Sequence, residues 1–83
     1  MEAKINDKDV LRAIKELKED STVPRNVRSH LEKAEEEMKT EEEMSVRVNK
    51  ALNALEDVTE DMNIQPYTRS QLWNVVSMLE KLH

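Results

Sequence analysis

Near its end the chain reads Glu80-Lys81-Leu82-His83, and a Glu-x-x-His spacing sets a carboxylate and an imidazole on one face of a helix. Carboxylate-bridged di-metal bundles build their site from two such motifs and two further inward glutamates. Here the motif occurs once, at a chain terminus where helices fray, so no metal site is expected from it. The runs Glu35-Glu36-Glu37 and Glu41-Glu42-Glu43 offer oxygens suited to a hard cation. Consecutive helical residues diverge around the axis, so these carboxylates read as a solvated acidic corner. His30 has no second histidine or cysteine near it and reads as a flank or core-edge residue. No serine lies in a G-x-S-x-G elbow or in a recognisable His–carboxylate arrangement. Paired-acid catalysis needs opposed carboxyl groups in a cleft, whereas the acids here fall on the faces that periodicity assigns to solvent. The expectation is a chain with no catalytic residue, no cofactor, no metal and no small-molecule substrate.

Arginines carry the sharper signal. Arg25 and Arg28 fall in the first turns of one predicted helix, and Arg69 in the first turn of another, the unfavourable end for a cation in the helix dipole. Glu19-Asp20 and Glu60-Asp61 close the preceding helices, the unfavourable end for anions. Ion pairs across each corner would offset both penalties, and this is the arrangement expected. The alternative is an anion site in which Arg25, Arg28 and Arg69 meet a phosphate or carboxylate at a helix start.

Four helices must position these groups. The first is predicted over about 7–19, with Asn6 as N-cap, Asp9 three residues on, and an apolar stripe of Val10, Ala13, Ile14 and Leu17. The second starts at Pro24, taken as its first residue, and buries Val27, Leu31, Ala34 and Met38. A turn without glycine or proline follows at 40–43, with one continuous helix as the competing reading. The third helix uses Met44, Val48, Ala51, Leu55, Val58 and Met62, with Leu52 widening the seam. The fourth runs from near Pro66 almost to the end. Its apolar residues spread over about 220°, far more than the stripe of about 100° that a surface helix needs. Central packing is the expected explanation. A second, outward apolar face carrying Tyr67, Trp73 and Met78 is the alternative, and it would serve a protein partner or a homodimer.

The chain also repeats itself. Residues 10–31 slide onto 51–72 with a shift of 41 and no gap: Leu11 meets Leu52, Ala13 meets Ala54, Glu19-Asp20 meets Glu60-Asp61, and Arg28-Ser29 and Leu31 meet Arg69-Ser70 and Leu72. Ile14, Leu17 and Val23 meet the aliphatic Leu55, Val58 and Ile64. A period near 40 marks a duplicated supersecondary unit. The fold class expected is all-α, a four-helix bundle of two repeated αα-hairpins, about 7–39 and 44–82, within a single domain 1–83. A HEAT-like stack of the two hairpins is the runner-up.

Composition agrees. The chain has 83 residues, no cysteine, no glycine and no phenylalanine, with 37% charged residues, so disulfides, thiolate metal sites and Gly-rich phosphate loops are excluded. The net charge of −5 is uneven: +1 over 1–34, −7 over 35–61 and +1 over 62–83. An acidic chain without a basic stripe is a poor nucleic-acid binder. No apolar run approaches a membrane span and the N-terminus lacks the apolar core of a secretory signal, so a cytoplasmic location is expected.

The string Val23-Pro24-Arg25-Asn26-Val27-Arg28, with Arg69-Ser70-Gln71-Leu72-Trp73-Asn74-Val75-Val76-Ser77-Met78-Leu79-Glu80, resembles a family of short archaeal helical proteins classed as uncharacterised. The resemblance covers about Val10 to Glu80. It implies an all-α four-helix bundle, similar to a bromodomain-like up-and-down arrangement, and no established catalytic residue. The chain departs from the family pattern before the third helix, where Glu43-Met44 stands in place of Asp-Pro. Two functions are therefore expected as candidates: a non-enzymatic interaction or self-association module working through the fourth helix, or an accessory of an RNA or ribonucleoprotein complex that contacts phosphates through the corner arginines.

Overall fold

The computed structural model describes residues 5–82. Four helices follow in order: α1 (Asp7–Lys18), α2 (Arg25–Met38), α3 (Met44–Thr59) and α4 (Pro66–Leu82). α1 opens on a capping box. Asn6 Oδ1 accepts from Asp9 N at 3.0 Å, and Asp9 Oδ2 accepts from Asn6 N at 3.1 Å, so two amides that the helix leaves unpaired are satisfied reciprocally. α2 begins at Arg25, with Pro24 as an extended N-cap rather than the first helical residue. Pro66 does occupy the first position of α4, where a missing N–H costs nothing. The break at 39–43 is a turn, so α2 and α3 are separate helices.

The helices close into a ring. α2 packs most extensively on α3, α3 on α4, α1 on α2, and α1 on α4, with no close backbone approach along either diagonal. A two-hairpin stack would instead layer α1 on α3 and α2 on α4. The Cα radius of gyration, 12.1 Å, is that of a compact chain of this length, about 12 Å. The molecule is an all-α four-helix bundle. Its core shows why the repeat exists: Val10, Ile14, Leu17, Val23, Val27, Leu31, Ala34 and Met38 are buried, and so is each residue 41 positions on, from Ala51 to Leu79. Leu11 and Leu52 are half-buried against that core from the outside.

Two apolar expectations are corrected. Met62 does not join the α3 seam. α3 ends at Thr59, and Met62 stands 87% exposed in the loop at the position that Ser21 holds in the first hairpin. Nor is α4 central. It buries Thr68, Leu72, Val75 and Leu79, holds Val76, Met78 and Leu82 half-covered, and leaves Tyr67 and Trp73 in solvent. The extra apolar arc faces outward.

Candidate functional site

The two hairpin corners share the same loop hydrogen bonds. Asp20 N bonds Leu17 O and Val23 N bonds Asp20 O; Asp61 N bonds Val58 O and Ile64 N bonds Asp61 O. Asp20 Oδ1 accepts from Thr22 N at 2.9 Å, as Asp61 Oδ1 accepts from Asn63 N at 2.8 Å. Each aspartate thus closes a side-chain turn on its own loop. These bonds, from the Thr22 hydroxyl and then its amide, hold the Asp20 carboxyl below the ordinary carboxylate value.

The expected corner ion pairs are absent at Arg28 and Arg69, and the reason is the shortage of donors at a helix end. Four terminal carbonyls of each helix lack an intrahelical partner. A left-handed glycine cap would normally satisfy some of them, but the chain has no glycine, and no described residue has a positive φ. Arginine takes that role at the ends of α1 and α2. Arg28 Nε donates to Lys18 O at 3.0 Å, and its Nη2 donates to Val23 O at 3.2 Å and Asp20 O at 3.4 Å. Arg69 Nη2 donates to Asp61 O at 2.7 Å. At the middle corner Arg47 Nη1 donates to Met38 O at 3.0 Å and its Nε to Glu42 O at 2.9 Å. Arg28, Arg47 and Arg69 are each the fourth residue of their helix. The Arg28 and Arg47 guanidiniums therefore lie at the carboxyl end of the preceding helix, the favourable end of that dipole, whereas Arg69 bonds the loop just beyond α3. Arg47 was missed in the sequence because the middle corner lies outside the 41-residue register. Its signal was the shared position, four residues into a helix.

Of the residues expected to contact an anion, Arg28 and Arg69 are thus turned toward backbone carbonyls, and Arg25 is exposed on the first residue of α2. His30 is a core-edge residue as expected. Its Nδ1 lies 2.8 Å from Ala54 O, and because a carbonyl only accepts, Nδ1 carries the proton and ties α2 to α3. No cluster of three or more potential metal ligands occurs among the described residues. His83, and with it the Glu-x-x-His motif, lies outside them.

The three residues expected at a partner face are not brought together. Tyr67, 61% exposed, lines a cleft of about 160 Å³ against α1, beside Glu16 and Asp20. Met78 is half-buried on the core. Trp73, 50% exposed, lies in a different place, an open groove of about 380 Å³ between the outer faces of α3 and α4. Leu52, Val76 and Thr59 line that groove with it, and Glu56, Glu60 and Glu80 rim it. This groove is the candidate functional site: it combines the chain's one indole, two aliphatic side chains left half-covered by the bundle, and three exposed carboxylates.

Ring-closed helix order and paired corners define a small duplicated four-helix bundle, and comparison with known proteins places it. Residues 1–82 match the model of the uncharacterised protein family UPF0147, and the chain belongs to that family. It is 41% identical over 76 residues to a UPF0147 protein of Methanocaldococcus jannaschii, covering 90% of this chain and 82% of the relative. A UPF0147 protein of Archaeoglobus fulgidus is 35% identical over 74 residues, covering 89% and 85%. The crystal structure of the unknown-function protein MMP1188 superimposes with a TM-score of 0.80 at 37% identity, over 95% of this chain and 96% of that one. These matches add no support to the bromodomain-like comparison.

Proposed function

We propose that the chain is a non-enzymatic docking module that binds a protein partner through the α3–α4 groove around Trp73. One observation carries this reading. A small bundle gains most from burying its largest apolar side chain, yet half of Trp73 stays in solvent beside Leu52 and Val76. Half-covered aromatics in shallow apolar grooves are the usual anchors of protein interfaces. The phosphate-contacting alternative has less behind it, because the Arg28 and Arg69 guanidiniums already serve backbone carbonyls. A cytoplasmic place of action is part of the proposal; no described helix is long and apolar enough to cross a membrane.

Paired capture from native cell extract tests the reading, with the wild-type chain and a Trp73→Ala variant of matched helicity as baits. A protein retained by the wild type and lost by the variant supports it. Identical retention by both baits overturns it.

A further inference from the structure

The repeat provides a second copy of the groove inside the same molecule, and the two copies differ in charge. On the first hairpin the matching surface is lined by Leu11 and, around it, Lys15, Lys18, Glu35 and Lys39. There an ion pair spans the two helices: the Lys18 ammonium reaches from α1 to Glu35 on α2 at 2.7 Å, both side chains mostly covered. In the second hairpin the register puts Thr59 where Lys18 stands and Val76 where Glu35 stands, so the ion pair is replaced by a hydroxyl and an aliphatic side chain that line the groove with Leu52. Lys15 and Lys39 become Glu56 and Glu80, and Glu32 becomes Trp73. With Glu60, three carboxylates and no basic side chain line the open groove.

Resting on the docking role proposed above, we infer that the groove takes a basic, apolar-anchored helical segment of a partner protein. Its aliphatic residue sits over Leu52 and Val76, and its arginines or lysines pair with the glutamate rim. The first hairpin carries a pairing of the same kind internally, a lysine of α1 against a carboxylate of α2 at the wall of its own groove. An indole adjoining that rim is also the strongest aromatic acceptor for a guanidinium. A second copy placed groove to groove sets three glutamates against three, a like-charge contact that disfavours the symmetric dimer.

The test uses the full chain and two synthetic helical peptides without aromatic residues, one of leucine and arginine at helical spacing, the other with glutamate in place of arginine. The single tryptophan reports occupancy. The expected result is a saturable blue shift of Trp73 emission with the basic peptide alone. That affinity falls about tenfold or more in Glu56→Lys/Glu80→Lys, as loss and reversal of two rim pairs should give. The doubly reversed variant should gain the acidic peptide. Both substituted residues are exposed, so the fold survives, as circular dichroism will check. Lys15→Glu, the equivalent change on the other hairpin, should leave binding within about twofold. Equal binding of both peptides overturns the charge assignment and leaves the docking reading standing. A blue shift that grows with chain concentration alone, with dimers in sedimentation, overturns the partner class in favour of a second copy. No response to either peptide and no self-association overturns the inference and the docking reading together.

Discussion

The guanidinium of Arg47 lies 3.0 Å from the carbonyl oxygen of Met38, the last residue of α2, and in doing so ends one helix from inside the next. The same reach, from the fourth residue of a helix back to the chain before it, recurs at Arg28 and Arg69. Two helix ends without glycine, those of α1 and α2, are thus closed by arginines, and the third arginine ties down the loop that follows α3. Asp7, at the start of α1, adds a carboxylate 3.8 Å from Arg47.

The corners should therefore be energetically unequal. Arg28 serves three carbonyls, Arg47 two and Arg69 one, and the buried Arg69 Nε has no partner. Hydrogen bonds to charged groups are worth about 1.5–3 kcal/mol. Arg28→Ala should cost about 2–3 kcal/mol and Arg69→Ala about 1 kcal/mol in urea unfolding. Lysine, which lacks the forked donors, should rescue Arg28 only in part. Equal losses at the two positions would contradict this ranking.

Core and groove should separate cleanly. Leu72 is fully buried and its neighbour Trp73 is half-exposed. Leu72→Ala should lower stability by about 2–5 kcal/mol through the cavity it leaves. Trp73→Ala should lower it by about 1 kcal/mol or less, since its open half gains nothing from folding. Thermal and urea denaturation of both variants provide the comparison, and a Trp73 loss as large as that of Leu72 would show that the indole is core.

Acid should release Asp20. Its folded value is depressed by the Thr22 hydroxyl and amide, so its contribution is complete above the ordinary carboxylate value of 3.8 and is lost as pH falls through the lower folded value. Thr22→Val removes the hydroxyl donor and keeps the amide. The Asp20 carboxyl should then titrate closer to 3.8 by NMR, and an unchanged titration would show the hydroxyl to be idle.

Alkali should release Lys18. The hydrogen bond that the Lys18 ammonium donates to Glu35 raises the Lys18 value above 10.5; burial opposes it, and the charges of Glu35, Glu32 and Glu19 add to it. This stabilisation is complete below 10.5 and is lost as pH rises through the folded value. In Glu35→Gln the Lys18 ammonium should titrate lower, and the difference in melting temperature from the wild type should shrink at high pH. A constant difference across that range would remove the pair as its cause.

The His30 ring should hold its proton on Nδ1 when neutral, because Ala54 O, 2.8 Å away, can only accept. Nitrogen chemical shifts should show Nδ1 as the protonated and Nε2 as the bare nitrogen. The opposite tautomer would mean that the α2–α3 contact at this point is not a hydrogen bond.

How much of this could be read without coordinates depends on what each feature needs. Helix identity and the buried set need only spacing: Val10, Ile14 and Leu17, repeated as Ala51, Leu55 and Val58, define a face whatever lies opposite. The Asn6–Asp9 box was legible for the same reason, since both partners lie within one turn. Met62 kept the apolar period but fell beyond the last helical turn, where spacing carries no information.

What the sequence by itself determined was therefore the duplicated pair of hairpins and the side of each helix that leaves water, because hydrophobic burial follows the 3.6-residue turn of a single element. What only the tertiary structure decided was the destination of the long polar side chains and the placing of the outward face of α4. Arg28, Arg47 and Arg69 find carbonyls 5–10 residues back in the chain, and Trp73 of α4 shares a groove with Leu52 of α3. Such contacts depend on where the ring of helices closes, and no local period encodes that.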